Sequence, residues 1–83
     1  MEQNNIACEL HDYIEVACMY GYQLQLVLKD GQVVEGRAVD IKQSADKREW
    51  LVIDYGETQD IDLMTLSKMQ VLTPHAKFTE VNF

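Results

Sequence analysis

The spacing of apolar positions along this chain changes once, near residue 21. Before it, in "CELHDYIEVACMYGY", Leu10, Ile14, Ala17 and Cys18 fall at the i, i+4, i+7, i+8 positions of one helical stripe. That spacing predicts an amphipathic helix from about residue 8 to 19. Glu9 in its first turn complements the positive end of the helix macrodipole, and Gly21 suits a left-handed residue at its C-terminal end. Beyond residue 21 the period is two. Leu24, Leu26 and Leu28 alternate with Gln23, Gln25 and Val27, which predicts a half-buried strand over 22–28. Asp30-Gly31 marks a hairpin turn. The second strand runs over 33–41 and contains Gly36, where a missing side chain marks a bend or a close backbone approach. "KQSADK" is a polar loop. "REWLVIDYG" is a nearly continuous apolar run, predicting a central strand over 48–55 covered on both faces. "ETQDIDL" returns over 57–63 with Ile61 and Leu63 inward and Asp60 and Asp62 outward. A short turn in "MTLSKMQVL" leads into a last strand over 68–72 that holds Met69 and Val71 and is stopped by Pro74. Residues 1–5 are expected to fray, and the chain from about residue 74 to form a flexible tail.

These elements predict a single domain over residues 1–83, mainly β with one N-terminal α-helix. Five short antiparallel strands joined by tight connections manage their edges best as a strongly bent sheet, a partly open barrel with the helix over one open end or face. A chain of 83 residues buries only about 60% of its unfolded surface, so the core is thin. The hydrophobic fraction of 47% is nevertheless too high for a disordered segment.

Charge changes the picture more than size does. Fourteen acids against seven bases give a net charge of −7 and a pI near 4.5. Such a surface repels phosphate backbones, whose capture depends on Lys and Arg, so direct nucleic-acid binding is not expected and a basic partner is. The plainer role of acidity is solubility. "MEQNNIAC" lacks the basic and apolar regions of a signal peptide. No run approaches the roughly 20 apolar residues of a membrane span. A cytoplasmic protein without membrane contact is expected. Cys8 and Cys18 lie about 15 Å apart along a helix, well beyond the about 7 Å that a disulfide bridges, which fits reduced thiols.

Catalytic and metal chemistry find little support. Cys8, His11, Cys18 and His75 follow neither a CxxC nor an HExxH spacing. Asp60 and Asp62 share one strand face without a flanking pocket. The expectation is no enzyme, no catalytic residue, no metal and no cofactor.

The outer helix face is the unusual feature. Glu9, Asp12, Tyr13, Val16, Met19 and Tyr20 fall opposite the apolar stripe, Glu15 lies on its flank, and no Lys or Arg interrupts them. The bland account is that the apolar members cover loops or the N-terminus. The functional one is an interface of aromatic anchors and acids. The loop residues Asp46, Lys47 and Arg48 are expected to add polar contacts. A second acidic zone, Asp54, Glu57, Asp60 and Asp62, has no base between Glu49 and Lys68 and reads as a solvated face or as protection of a strand edge.

Two resemblances sharpen this. "LQLVLKDGQVVEGRAVDI" resembles the first conserved block of Sm-like proteins: an apolar strand, Lys29-Asp30-Gly31, then Gly36 and Asp40. The helix followed by five strands agrees with that fold. Where RNA-binding Sm proteins carry an Arg-Gly or Lys-Gly pair, this chain has "LMTLSKMQV", which has neither. An Sm-like RNA-binding module, with Arg37, Lys42, Lys47 and Arg48 as its basic rim, is therefore the alternative reading. Over nearly its whole length the chain is similar to the Rof family of small bacterial Rho-binding antiterminators. Cys8, Glu15, Ala17 and Cys18, Lys29-Asp30-Gly31 and Gly56-Glu57-Thr58 carry that likeness. It implies an Sm-like fold and an inhibitor of the hexameric termination factor Rho that binds the RNA-capturing N-terminal domain and keeps transcripts off it. On this reading Glu9, Asp12, Tyr13, Glu15, Val16, Met19, Tyr20, Asp46, Lys47 and Arg48 face Rho, and no cofactor is required.

Overall fold

The computed structural model describes residues 8–83, with side chains from Leu10 onward. The expectation for residues 1–5 lies outside that range. A helix, α1 (Cys8–Tyr20), is followed by β1 (Gln23–Leu28), β2 (Val33–Gln43), β3 (Glu49–Asp54), β4 (Thr58–Asp62), a 3-10 turn (Leu63–Thr65), β5 (Leu66–Val71) and β6 (Glu80–Asn82). All pairings are antiparallel, in the order β4-β3-β2-β1-β5-β6. The protein is thus mainly β with one helix, and its bent sheet stays open between β4 and β6.

Local chemistry explains the element ends. Gly21 stands in the left-handed region at φ 64°. Its N–H donates to the Cys18 carbonyl at 3.2 Å, and the Tyr22 N–H donates to the Ala17 carbonyl at 3.0 Å. That pair of bonds closes the helix as a Schellman motif and turns the chain directly into β1. In the β1–β2 hairpin Asp30 Oδ1 accepts from the Gln32 N–H at 3.0 Å. β2 is long because it serves two partners: residues 33–37 pair with β1 and residues 37–43 with β3. The bend between them comes at Val39, an unpaired residue where the β2–β3 register shifts. Gly36 lets β3 approach, since a Cβ there would lie 3.1 Å from Ile53 Cβ.

The core fills the concave side. Leu24 and Leu26 of β1, Leu51 and Ile53 of β3, Met69 of β5 and Ile14 and Ala17 of α1 are all fully enclosed. Leu63, which opens the 3-10 turn, and Leu66, which follows it, continue the core. Helix α1 lies chiefly against β2.

Two expectations are corrected. The run over 48–55 is not covered on both faces: Leu51 and Ile53 are buried, whereas Trp50, Val52 and Asp54 are only half-buried, and β3 has just β4 between it and the open edge. The tail from about residue 74 is not loose. It returns as a sixth strand against β5, with Val81 buried opposite Met69. The Val71 N–H donates to the Thr79 carbonyl at 2.8 Å, and the Phe83 N–H to the Ser67 carbonyl at 3.0 Å. Pro74 ends β5 but does not end the packing. Val81 joins the core, and Phe78 and Phe83 pack against it.

Candidate protein-binding site

One face of α1 is turned away from the core. Asp12, Tyr13, Glu15, Met19 and Tyr20 are exposed, with Met19 the most open at 73%. Among the described residues, no base lies within ion-pair distance of Asp12. Val16 departs from the helical-wheel reading: it is half-buried and packs against the core. Glu9 shares this helix, but its side chain is outside those described.

The face is a composite of two chain segments, which sequence reasoning did not find. The Tyr13 ring meets Phe78 edge-on, centroids 5.0 Å apart. Phe78 in turn meets the buried Tyr22 ring at 5.8 Å. Tyr20 stacks on Tyr22 at 5.6 Å with 17° between the planes, and the Lys77 ammonium sits 5.6 Å from the Tyr20 centroid. Each of these geometries lies in the attractive range for aromatic pairs or for a cation over a ring. The outer tyrosines are therefore half-supported and half-free, at 42% and 52% exposed.

The loop Asp46-Lys47-Arg48 reaches the other end of this face through His11. His11 Nε2 bonds Glu49 Oε2 at 3.0 Å, while its Nδ1 lies 3.5 Å from Glu15 of the same helix. Glu49 directly follows Arg48, so that bond draws the loop to the N-terminal half of α1. The loop is internally braced. Asp46 Oδ1 accepts from the Ser44 hydroxyl and from the Arg48 N–H, and these bonds hold its carboxyl below the usual range. Trp50 Nε1 donates to the Ser44 hydroxyl at 3.3 Å. Arg48 Nη2 reaches Asp62 at 3.2 Å. Asp46, Lys47 and Arg48 are all exposed, and Lys47, in a left-handed conformation at φ 67°, is the one whose charge has no side-chain partner among the described residues.

Three of the four acids of the second zone are paired, two from β2 and one from the residue just before β3. Arg37 pairs with Asp54 at 3.7 Å, Lys42 with Asp60 at 2.8 Å and Arg48 with Asp62 at 3.2 Å. Exposed pairs of this kind add little stability, but they consume three of the four bases of the alternative RNA-binding rim. Among the described residues, Glu57 of this zone and Asp12 of the helix are exposed acids without an ion-pair partner.

Cys18 lies half-buried beside the core and carries a free thiol. Burial, with the Asp40 and Glu15 carboxylates adding to it, pushes the thiol up from its ordinary value of 9.0 to about 11. An unfolded chain ionises this thiol near its ordinary value, while the folded one keeps its proton until about 11. The full contribution to stability is present below the unfolded value and is lost as pH rises through the folded one. Thermal melts from pH 8 to 11 should show Cys18→Ala losing less stability than the parent chain, by at most about 2 kcal/mol. Parallel pH profiles would contradict that burial.

A family model described as modulator of Rho-dependent transcription termination matches residues 5–83. The chain belongs to this family. It is 37% identical over 59 residues to protein rof of Escherichia coli (strain K12), a match spanning 70% of this chain and 69% of that one. The figures are the same for protein rof of Shigella flexneri. A solved structure, YaeO bound to magnesium from Vibrio cholerae O395, superposes with a TM-score of 0.79 at 32% identity. The match covers 87% of this chain and 95% of that one. This Rof-family chain is thereby tied to Rho-dependent termination, and its helix-and-sheet fold is shared with a solved protein. Among its described residues no three His, Cys, Asp or Glu side chains converge as metal ligands. Among the described residues, no helix is long and apolar enough to cross a membrane.

Proposed function

We propose that this protein inhibits Rho by laying the outer face of α1 into the basic groove of the N-terminal domain where Rho captures RNA. The observation that carries this reading is the coincidence, on one helix, of unopposed carboxylate and half-free tyrosine rings. A groove that holds RNA offers cations for phosphates and flat surfaces for bases. Asp12 and Glu15 supply charge where phosphates would lie, and Tyr13 and Tyr20 supply rings where bases would stack. Met19 fills irregular apolar gaps between them, and Lys47 with its braced loop adds polar contact at the N-terminal end. Glu9 extends the acidic run, Val16 anchors the face to the core, and Asp46 and Arg48 hold the loop in shape. With its capture site occupied, Rho loads no transcript and termination fails. No cofactor takes part.

Asp12→Lys tests this cleanly, because Asp12 is exposed and free of ion pairs among the described residues. Glu15→Lys would also place a cation beside His11 and disturb its contact with Glu49. Acids at an interface act mostly on encounter, so Asp12→Lys should slow association with Rho about three- to tenfold at low salt. It should also flatten the dependence of that rate on ionic strength. Stopped-flow mixing with purified Rho at several salt concentrations reads both. An unchanged rate and salt slope would remove Asp12 from the interface and with it the charge argument.

A further inference from the structure

We infer that the C-terminal segment is a working part of the docking surface, with Phe78 the positioning residue that orients the Tyr13 ring for the partner. This rests on the proposed binding of Rho through α1. Phe78 sits between two fixed points. On one side the Lys77 N–H donates to the Tyr22 hydroxyl at 3.0 Å. On the other, Thr79 accepts from the Val71 N–H at 2.8 Å. Beyond them Val81 is buried at 5% exposure. The ring held between these anchors bridges Tyr22, which is buried, and Tyr13, which is not. A lone tyrosine on a helix surface samples several rotamers and loses that freedom on binding. An edge-on partner at 5.0 Å removes part of the loss beforehand. Lys77 does the same at the other end of the helix, 5.6 Å over Tyr20. The tail thus holds both rings while leaving each about half exposed.

The test uses the full chain and purified Rho hexamer. Phe78→Leu keeps apolar volume against the core but removes the ring edge, and Phe78→Tyr keeps the ring. An aromatic pair of this geometry is worth roughly a two- to tenfold change in affinity. Phe78→Leu should weaken Rho binding by that factor in calorimetric titration, and Phe78→Tyr should restore it. Thermal melts and near-ultraviolet dichroism report whether the variants fold. If Phe78→Leu unfolds, the comparison is made with Phe78→Met, which is also unbranched at Cβ and lacks a ring. The decisive reading is a double-mutant cycle: in a Tyr13→Ala background the Phe78→Leu penalty should disappear. A folded Phe78→Leu chain that binds as the parent does would overturn the inference. So would a penalty of equal size with and without Tyr13, which marks Phe78 as packing only. If Tyr13→Ala and Asp12→Lys themselves leave binding unchanged, the helix reading falls and takes this inference with it. If those two weaken binding and Phe78→Leu does not, only the inference falls.

Discussion

Replacing Leu26 by alanine is expected to remove about 2–5 kcal/mol of folding stability, the range for emptying a leucine-sized site in a packed core. Leu26 is fully enclosed and sits on β1, the strand flanked by both β2 and β5. Its direct neighbours across the sheet are Val34 and Met69. Met69 is unbranched and adapts to some lost volume, but Val34 is stiff at χ1 and does not. A domain of this length holds roughly 4–12 kcal/mol in total, so the substitution consumes a large share of it. The thermal midpoint should fall by roughly 10–30 °C. Scanning calorimetry measures this directly. A fall of only a few degrees would mean that the core collapses around the gap, contrary to the continuous packing from α1 to β5. Binding to Rho should decline in step with the folded fraction, which separates this variant from one that damages the interface alone.

What was legible in the sequence was whatever neighbouring residues decide. The alternation of Leu24 and Leu26, the helix stop at Gly21 and the hairpin at Asp30-Gly31 are local, and each is where the chain's own chemistry puts it. Gly36 reads as a bend or a close approach, and the 3.1 Å from a Cβ there to Ile53 selects the second. What failed to show depends on which strand lies beside which. Asp60 and Asp62 look unopposed along the chain, because no base occurs between Glu49 and Lys68. In the sheet, Lys42 of β2 reaches across β3 to Asp60, and Arg48 reaches Asp62 from just before β3. That neutralisation is set by register, eighteen residues away for Lys42. The sixth strand escaped notice for a similar reason. Three residues carry almost no pattern, and Val81 declares its role only through Met69. The same limit applies to the site. The acids and tyrosines of α1 were visible by helical geometry, but their support by Phe78, Lys77 and Tyr22 joins residues more than fifty positions apart for two of the three pairs. Helix position alone places Val16 outward, whereas in the fold it is half-buried against the core.

Tyr20→Ala should be the single substitution on the proposed interface with the greatest cost, about tenfold or more in affinity for Rho. The ring is stacked on buried Tyr22 at 5.6 Å, so its position is fixed before a partner arrives, and 52% of the residue remains accessible. A pre-positioned aromatic loses little entropy on binding and offers a broad flat surface. Met19 beside it is more exposed but unsupported and flexible, so Met19→Ala should cost less. Tyr20→Phe keeps the stacking surface and should bind within about twofold of the parent, since an exposed hydroxyl contributes little. Asp12 lies eight residues earlier, about 12 Å along the helix. At that separation without shared partners, the Asp12→Lys and Tyr20→Ala penalties should combine nearly additively in free energy. Surface plasmon resonance with immobilised Rho separates the two effects: Asp12→Lys should act on association, Tyr20→Ala mainly on dissociation. Equal affinity for Tyr20→Ala and the parent chain would show that the ring is spent on Tyr22 and Lys77 alone. The recognition surface would then have to be sought away from the C-terminal end of α1.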